Sequence, residues 1–205
     1  MQDLALTLDK FLVHAAKWHP DTEVVTARET GGTSRIGYAA LEQRARRVSG
    51  ALHNLGVGQG DRVATLAWNT QEHIEAWYGI MAMGAVCHTL NPRLTSEQLA
   101  WMIDQSGAKL ILASEDLADL AQTIGATARK TSCRVLVLGS TAESHDSLGA
   151  FMENAPQDIV WGEFDEKSPS GLCFTSGTTG APKGVTYTHR ANYLHTLKLL
   201  QADVA

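Results

Sequence analysis

The chain has 205 residues, 44% apolar and 19% charged, enough to bury one sizeable core. Seventeen basic against 22 acidic residues leave a net charge of −5, which argues against general nucleic-acid affinity. No run is long enough to span a bilayer, and a start carrying Asp3 and Asp9 without a basic, then apolar, segment is not a secretory signal.

Taken in order, residues 4–17 place Leu4, Leu8, Phe11, Leu12 and Ala15 at helical spacing, and Pro20 ends that helix. His14, Trp18 and His19 at its end read as surface residues. Residues 23–28 and 34–38 read as two strands of a hairpin around Gly31 and Gly32. A long helix follows from Tyr38 to Leu55, with Leu41, Ala45, Val48 and Leu52 on one face. Its Arg44, Arg46 and Arg47 read as a solvated face beside Glu42 and not as a phosphate site. Gly56, Gly58 and Gly60 imitate a dinucleotide fingerprint, but that motif needs a strand before it and a helix after. Here the order is reversed, so these glycines end a helix.

The middle of the chain alternates strands (61–68, 85–90, 109–113, 134–138) with helices (71–83, 96–105, 116–130), Thr95 or Ser96 capping the second helix. Such alternation implies a mainly parallel sheet covered on both faces. The expected fold class is therefore α/β: three layers, flanking helices and an early β-hairpin. Residues 140–170 read as a surface connection with one short helix at 148–153. Glu163, Asp165 and Glu166 in it lack regular metal-ligand spacing and read as solvated. The odd count of three cysteines, Cys87, Cys133 and Cys173, suggests free thiols in a reducing compartment, hence a soluble cytoplasmic protein, and no Cys/His cluster has zinc spacing.

The chemistry concentrates in Phe174 to Arg190, FTSGTTGAPKGVTYTHR. Thr175, Ser176, Thr178 and Thr179 put hydroxyls beside Gly177, Gly180 and Gly184, Pro182 stiffens the bend, and Lys183 supplies a cation. Glycines let successive N–H groups converge on an anion, and a lysine adds a mobile point charge. A strand at 171–174 and another at 185–187 bracket this loop, and a helix starts near Thr188. A Walker-type loop needs Lys after Gly, and here Lys183 precedes Gly184. A nucleophile elbow needs glycines two residues either side of its serine, and Ser176 has Phe174 and Thr178. The remaining alternative is a mobile linker without a ligand.

This segment resembles the phosphate-binding motif of the adenylate-forming (acyl-activating, AMP-binding) superfamily, [YF]TSGTTGxPKGV, met at every specified position from Phe174 to Val185. The stretch from Asp61 to Ser114 is also similar to acyl-CoA synthetases, and Asn91-Pro92-Arg93-Leu94 is especially like the medium- and long-chain fatty acyl types. The resemblance implies ATP-dependent activation of a carboxylic acid, with a fatty acid expected, to an acyl-adenylate with pyrophosphate release and transfer to CoA. It implies Thr175, Ser176, Gly177, Thr178, Thr179, Gly180 and Lys183 at the ATP phosphates, Lys183 as catalytic, and Thr175 as a Mg2+ ligand. His189 is open between the acyl site and a helix cap. Members of the superfamily run for several hundred residues, so residues 1–205 are expected to be the N-terminal part of the adenylation domain, inactive alone. The partners implied are the acid, ATP and CoA, with no nucleic acid, no transmembrane segment, and a homodimer in prospect because an incomplete fold exposes apolar surface. Other readings are a non-catalytic subdomain, an aryl-CoA ligase, a luciferase-like enzyme or a peptide-synthetase adenylation domain.

Overall fold

The computed structural model describes residues 4–28, 31–139, 146–175 and 182–201. Helix α1 (Asp9–Trp18) leads into the hairpin β1 (Glu23–Ala27) and β2 (Thr33–Gly37), followed by α2 (Tyr38–Asn54). Then come β3 (Arg62–Leu66), α3 (Gln71–Ala82), β4 (Val86–Thr89), α4 (Ser96–Ser106), β5 (Leu110–Ala113), α5 (Ala118–Thr127) and β6 (Arg134–Val137). The remaining elements are α6 (Leu148–Glu153), β7 (Pro169–Thr175), β8 (Lys183–Thr188) and α7 (His189–Leu199).

Six strands form one sheet in the order β6-β5-β3-β4-β7-β8, parallel throughout except that β8 runs antiparallel to β7. The two-residue period of a strand sends alternate side chains to opposite layers. On β5, Leu110 and Leu112 join a core with Val48 and Leu52 of α2 and Ile80 of α3. Ile111 and Ala113 join a second core with Leu99 and Ile103 of α4 and Ile124 of α5. A third cluster, including Leu12, Leu41 and Trp161, ties α1 and the hairpin to α2. The three-layer α/β arrangement with its early hairpin is thus the observed fold.

Local chemistry explains several boundaries. Thr95 and Gln98 close a reciprocal capping box at the start of α4, and Gly107 ends it with φ 62°. Gly56 and Gly60 take φ 80° between α2 and β3, the helix-ending role that their order implies.

Two stretches depart from the sequence expectation. Helix α1 starts at Asp9, not near Leu4, because residues 6–8 are held by distant partners. Leu6 N–H donates to Glu166 Oε2 at 2.7 Å, and Leu8 N–H donates to His189 Nδ1 at 3.3 Å. Residues 146–168 are more than a surface connection. Leu148 and Met152 enter the first core, and Trp161 Nε1–H donates to Ser49 Oγ at 2.9 Å inside the third. Glu166 is not merely solvated either, since it clasps both Leu6 and the Arg190 guanidinium. The arginines of α2 divide in the same way: Arg44 pairs at 2.6 Å with the buried Glu75, Arg46 stacks over Trp161, and Arg47 is exposed.

Leu194, Leu197 and Leu200, at three-residue spacing on and just after α7, leave an exposed apolar stripe. Light scattering of the 205-residue chain is expected to show concentration-dependent self-association that Leu197→Glu weakens. A monomer at every concentration would contradict this.

Candidate functional site

Strand β7 ends at Thr175 and β8 begins at Lys183, and the two residues pair at the end of the ladder, flanking the glycine-rich sequence. Thr175 Oγ1–H points to Lys183 O at 3.5 Å, a loose contact that leaves the hydroxyl free for another partner. Both residues are exposed, and among the described residues nothing pairs with the Lys183 ammonium. Ser176, Gly177, Thr178, Thr179 and Gly180 lie outside the described residues. Gly184 sits opposite Phe174, where a Cβ would come within 3.3 Å of Leu172 Cδ1 and 3.4 Å of the Phe174 ring. A glycine there lets β8 lie close against Leu172 and Phe174 of β7.

Thr175, the last residue of β7, lies at the carboxyl edge of the parallel strands, where open α/β sheets collect ligands. The same edge carries a polar rim. Trp68 donates its indole N–H to Asp116 Oδ2 at 2.7 Å, and its backbone N–H to Ser114 Oγ at 3.2 Å. His73 Nδ1 lies 3.0 Å from Trp68 O, and a carbonyl only accepts, so Nδ1 carries the proton and Nε2 accepts from Thr65 Oγ1 at 3.1 Å. Burial lowers the His73 pKa, which suits that neutral form. Among the described residues no group of three His, Cys, Asp or Glu side chains could hold a metal.

His189 is the first residue of α7, but the cap is Thr188, whose Oγ1 accepts from Ala191 N–H at 3.1 Å. The His189 ring is fully buried, 4.8 Å from the Phe164 ring and bonded to Leu8 N–H. His88 on β4 is also fully buried, 5.3 Å from the Phe174 ring, with neither ring nitrogen hydrogen-bonded among the described residues. Burial pushes each imidazole down to about 4, Lys10 adding repulsion at His189. The unfolded histidine, near 6.5, therefore takes up a proton that the folded one refuses. Stability is complete above roughly pH 6.5 and falls as pH drops toward about 4, by up to about 1.4 kcal/mol per pH unit for each histidine. Urea midpoints at neutral pH and at about pH 5 are expected to show this loss, and His88→Leu to reduce it. A profile unchanged by His88→Leu would contradict the assignment to His88.

A cleft of about 460 Å3 opens between α3 and α7 on the face of the sheet that carries α2 and α3. Trp77, Tyr78 and Met81 form one wall, and Asn192, His195 and Thr196 the other. Cys87, Thr89, Gly171 and Cys173 form its floor. Sequence reading missed this cleft, although the alternation Gly171, Cys173, Thr175 along one strand face was available as a signal. A smaller cleft of about 160 Å3 lies beside the Arg44–Glu75 pair, on elements remote in the sheet order from β7.

The family model described as AMP-binding enzyme matches residues 12–204. The chain is 40% identical over 203 residues to a long-chain-fatty-acid–CoA ligase of Thermus thermophilus, covering 99% of this chain and 37% of that protein. It is 33% identical over 204 residues to a medium-chain-fatty-acid–CoA ligase of Ectopseudomonas oleovorans, covering 97% and 37%. A solved Mycobacterium tuberculosis fatty acyl CoA synthetase superposes with a TM-score of 0.75 at 27% identity, over 92% of this chain and 36% of that one. The anthranilate CoA ligase AuaEII with anthranoyl-AMP gives a TM-score of 0.81 at 20% identity, over 98% and 38%, a likeness of fold alone. The chain spans 37% of the length of each of the two curated relatives. By the family match over residues 12–204, the chain belongs to the AMP-binding enzyme family.

Proposed function

We propose that this chain is part of an AMP-forming acyl-CoA ligase that activates a carboxylic acid, a fatty acid by preference. The reading rests on one observation above all: Lys183, exposed and unpaired among the described residues, pairs with Thr175 across β7 and β8 at the carboxyl edge of a parallel sheet, on either side of a hydroxyl- and glycine-rich sequence. In the first step a carboxylate oxygen attacks the α-phosphorus of ATP, and the bond to pyrophosphate breaks. In the second, the CoA thiolate attacks the acyl carbon and AMP leaves.

Two anions must meet in that first step, so the protein's task is to offset phosphate charge and hold an in-line geometry. Residues 175–180 would bind the β- and γ-phosphates through backbone N–H and hydroxyl groups, and Lys183 would offset the charge on departing pyrophosphate. The donor set fits a Mg2+ ion carried in by the phosphates, with the Thr175 hydroxyl as a protein ligand, because this ion keeps several waters and needs few side chains. When bound, the ion would supply charge neutralisation at the phosphate oxygens. His189, with its ring bonded to Leu8 and packed on Phe164, supports α7 and stands apart from the residues that line the cleft. Residues 1–205 would form the first part of the adenylation domain.

In a polypeptide of the relatives' full length carrying this sequence, fatty-acid-dependent pyrophosphate release from MgATP tests the reading. No release with any of a range of fatty and aromatic acids would overturn it. The 205-residue chain alone is expected to bind MgATP by calorimetry and to release no pyrophosphate.

A further inference from the structure

The sheet face that carries α4 and α5 holds a group of rings directly behind Thr175 and Lys183. On this face His88 pairs with Leu172 across β4 and β7, Leu172 with Thr186, and Phe174 with Gly184 across β7 and β8. Every second residue of a strand projects to the same side, so His88, Leu172 and Phe174 share this face and Cys173 and Thr175 take the other. The Phe174 ring is met from three directions. The His88 ring centroid lies 5.3 Å away at 46°, and Trp101 of α4 meets it edge-on at 5.7 Å and 72°. Gly184 takes the third side, where a Cβ would come within 3.4 Å of ring atoms Cε1 and Cζ. Trp101 is itself held, because α4 starts on the Thr95–Gln98 capping box and packs Leu99 and Ile103 into the second core.

Phe174 precedes Thr175 in β7, Gly184 follows Lys183 in β8, and the Phe174–Gly184 pair is the rung next to Thr175–Lys183. A ring fixed on one face therefore fixes the backbone that carries Thr175 and Lys183. The choice of histidine needs a reason. A fully buried imidazole with neither nitrogen hydrogen-bonded among the described residues costs more than an aliphatic side chain of similar size. What it offers is a flat ring whose N–H can meet the π cloud of Phe174, where a leucine only fills space.

We propose, resting on the ligase reading for the identity of the ligand, that His88 and Trp101 are positioning residues that act through Phe174 to hold Thr175 and Lys183 in place for the phosphates. Neither touches the substrate. A misplacement of about 1 Å can cost about 10²-fold in rate, and a loosened Phe174 ring is expected to cost about tenfold.

In the relatives-length polypeptide, His88→Leu is expected to leave Tm at neutral pH unchanged or raised. Its kcat for acid-dependent pyrophosphate release should nevertheless fall about tenfold, with the KM for the acid constant. Trp101→Leu should lower kcat by a similar factor, and Trp101→Phe, which keeps an aromatic edge, should restore most of it. Ile124→Val, in the same core but on α5, should lower Tm and spare kcat. Hydrogen exchange of the 205-residue chain gives a readout without catalysis. There Trp101→Leu should quicken exchange at residues 174, 175, 183 and 184 and leave β1 and β2 unchanged. Quickened exchange at those residues, in a protein whose unsubstituted form releases no pyrophosphate, would keep the ring clamp and sink the ligase reading. Full kcat in both His88→Leu and Trp101→Leu, unchanged exchange, or a loss of kcat that merely tracks a lowered Tm would overturn the clamp.

Discussion

Lys183→Ala in the relatives-length polypeptide is expected to lower acid-dependent pyrophosphate release by about 10²–10³-fold, the usual consequence of removing one preorganised group that meets developing charge. Three features of the site make this a clean test. The ammonium is exposed and, among the described residues, unpaired, so its loss breaks no ion pair and should leave Tm unchanged. It faces Thr175 at the first residue of β8, so its backbone is fixed by the β7–β8 ladder whatever the side chain. Its proposed work falls on leaving pyrophosphate, so kcat should fall more than the KM for ATP rises. Lys183→Arg keeps the charge but replaces a compact ammonium with a planar fork, and partial activity is expected. An unchanged rate for Lys183→Ala would remove the central assignment. A lost rate accompanied by a lowered Tm would show that the residue supports the fold instead.

The largest effect on stability is expected at Gly50, in the interior of α2. Alanine at a helix interior normally gains about 1 kcal/mol over glycine. Here the added Cβ would lie 2.0 Å from Pro156 O and 3.0 Å from Pro156 C, both backbone atoms that cannot swing aside. Either α2 or the segment after α6 must move, and both are anchored, by Ser49 to Trp161 and by Met152 in the core. Overpacking of this kind costs about 1–3 kcal/mol, enough to cancel the propensity gain and lower Tm. Gly58→Ala is the control, since its Cβ would meet only Asp61 Oδ2 at 3.8 Å. A Tm for Gly50→Ala equal to or above that of the unsubstituted chain would show that the segment after α6 yields easily.

The contrast between Gly50 and the glycines that follow α2 marks how far the amino-acid order could be read. Gly56 and Gly60 could be assigned as turn-formers because a helix precedes them and a strand follows, a purely local relation. Gly50 could not, because the atom that forbids a side chain there belongs to Pro156, far along the chain. The same division holds for the early helix. Its apolar spacing extends back to Leu4, but Glu166 and His189 capture residues 6–8, and long-range bonds prevail over a marginal helical turn. Glu166 itself read as a solvated acid, because neither Leu6 nor Arg190 is its neighbour in the chain.

The order of residues alone determined the alternation of strands and helices, the early hairpin, and the run of residues from Phe174 to Val185 that carries the family resemblance. These follow from backbone preference, apolar period and a run of adjacent residues, all of which act over short separations. Only the tertiary structure decided that β7 lies beside β4 and not beside β6, and with it that Cys87, Thr89 and Cys173 share a floor leading to Lys183. Strand order is set by which buried faces fit together across the whole sheet, a property of packed volumes that no single segment contains.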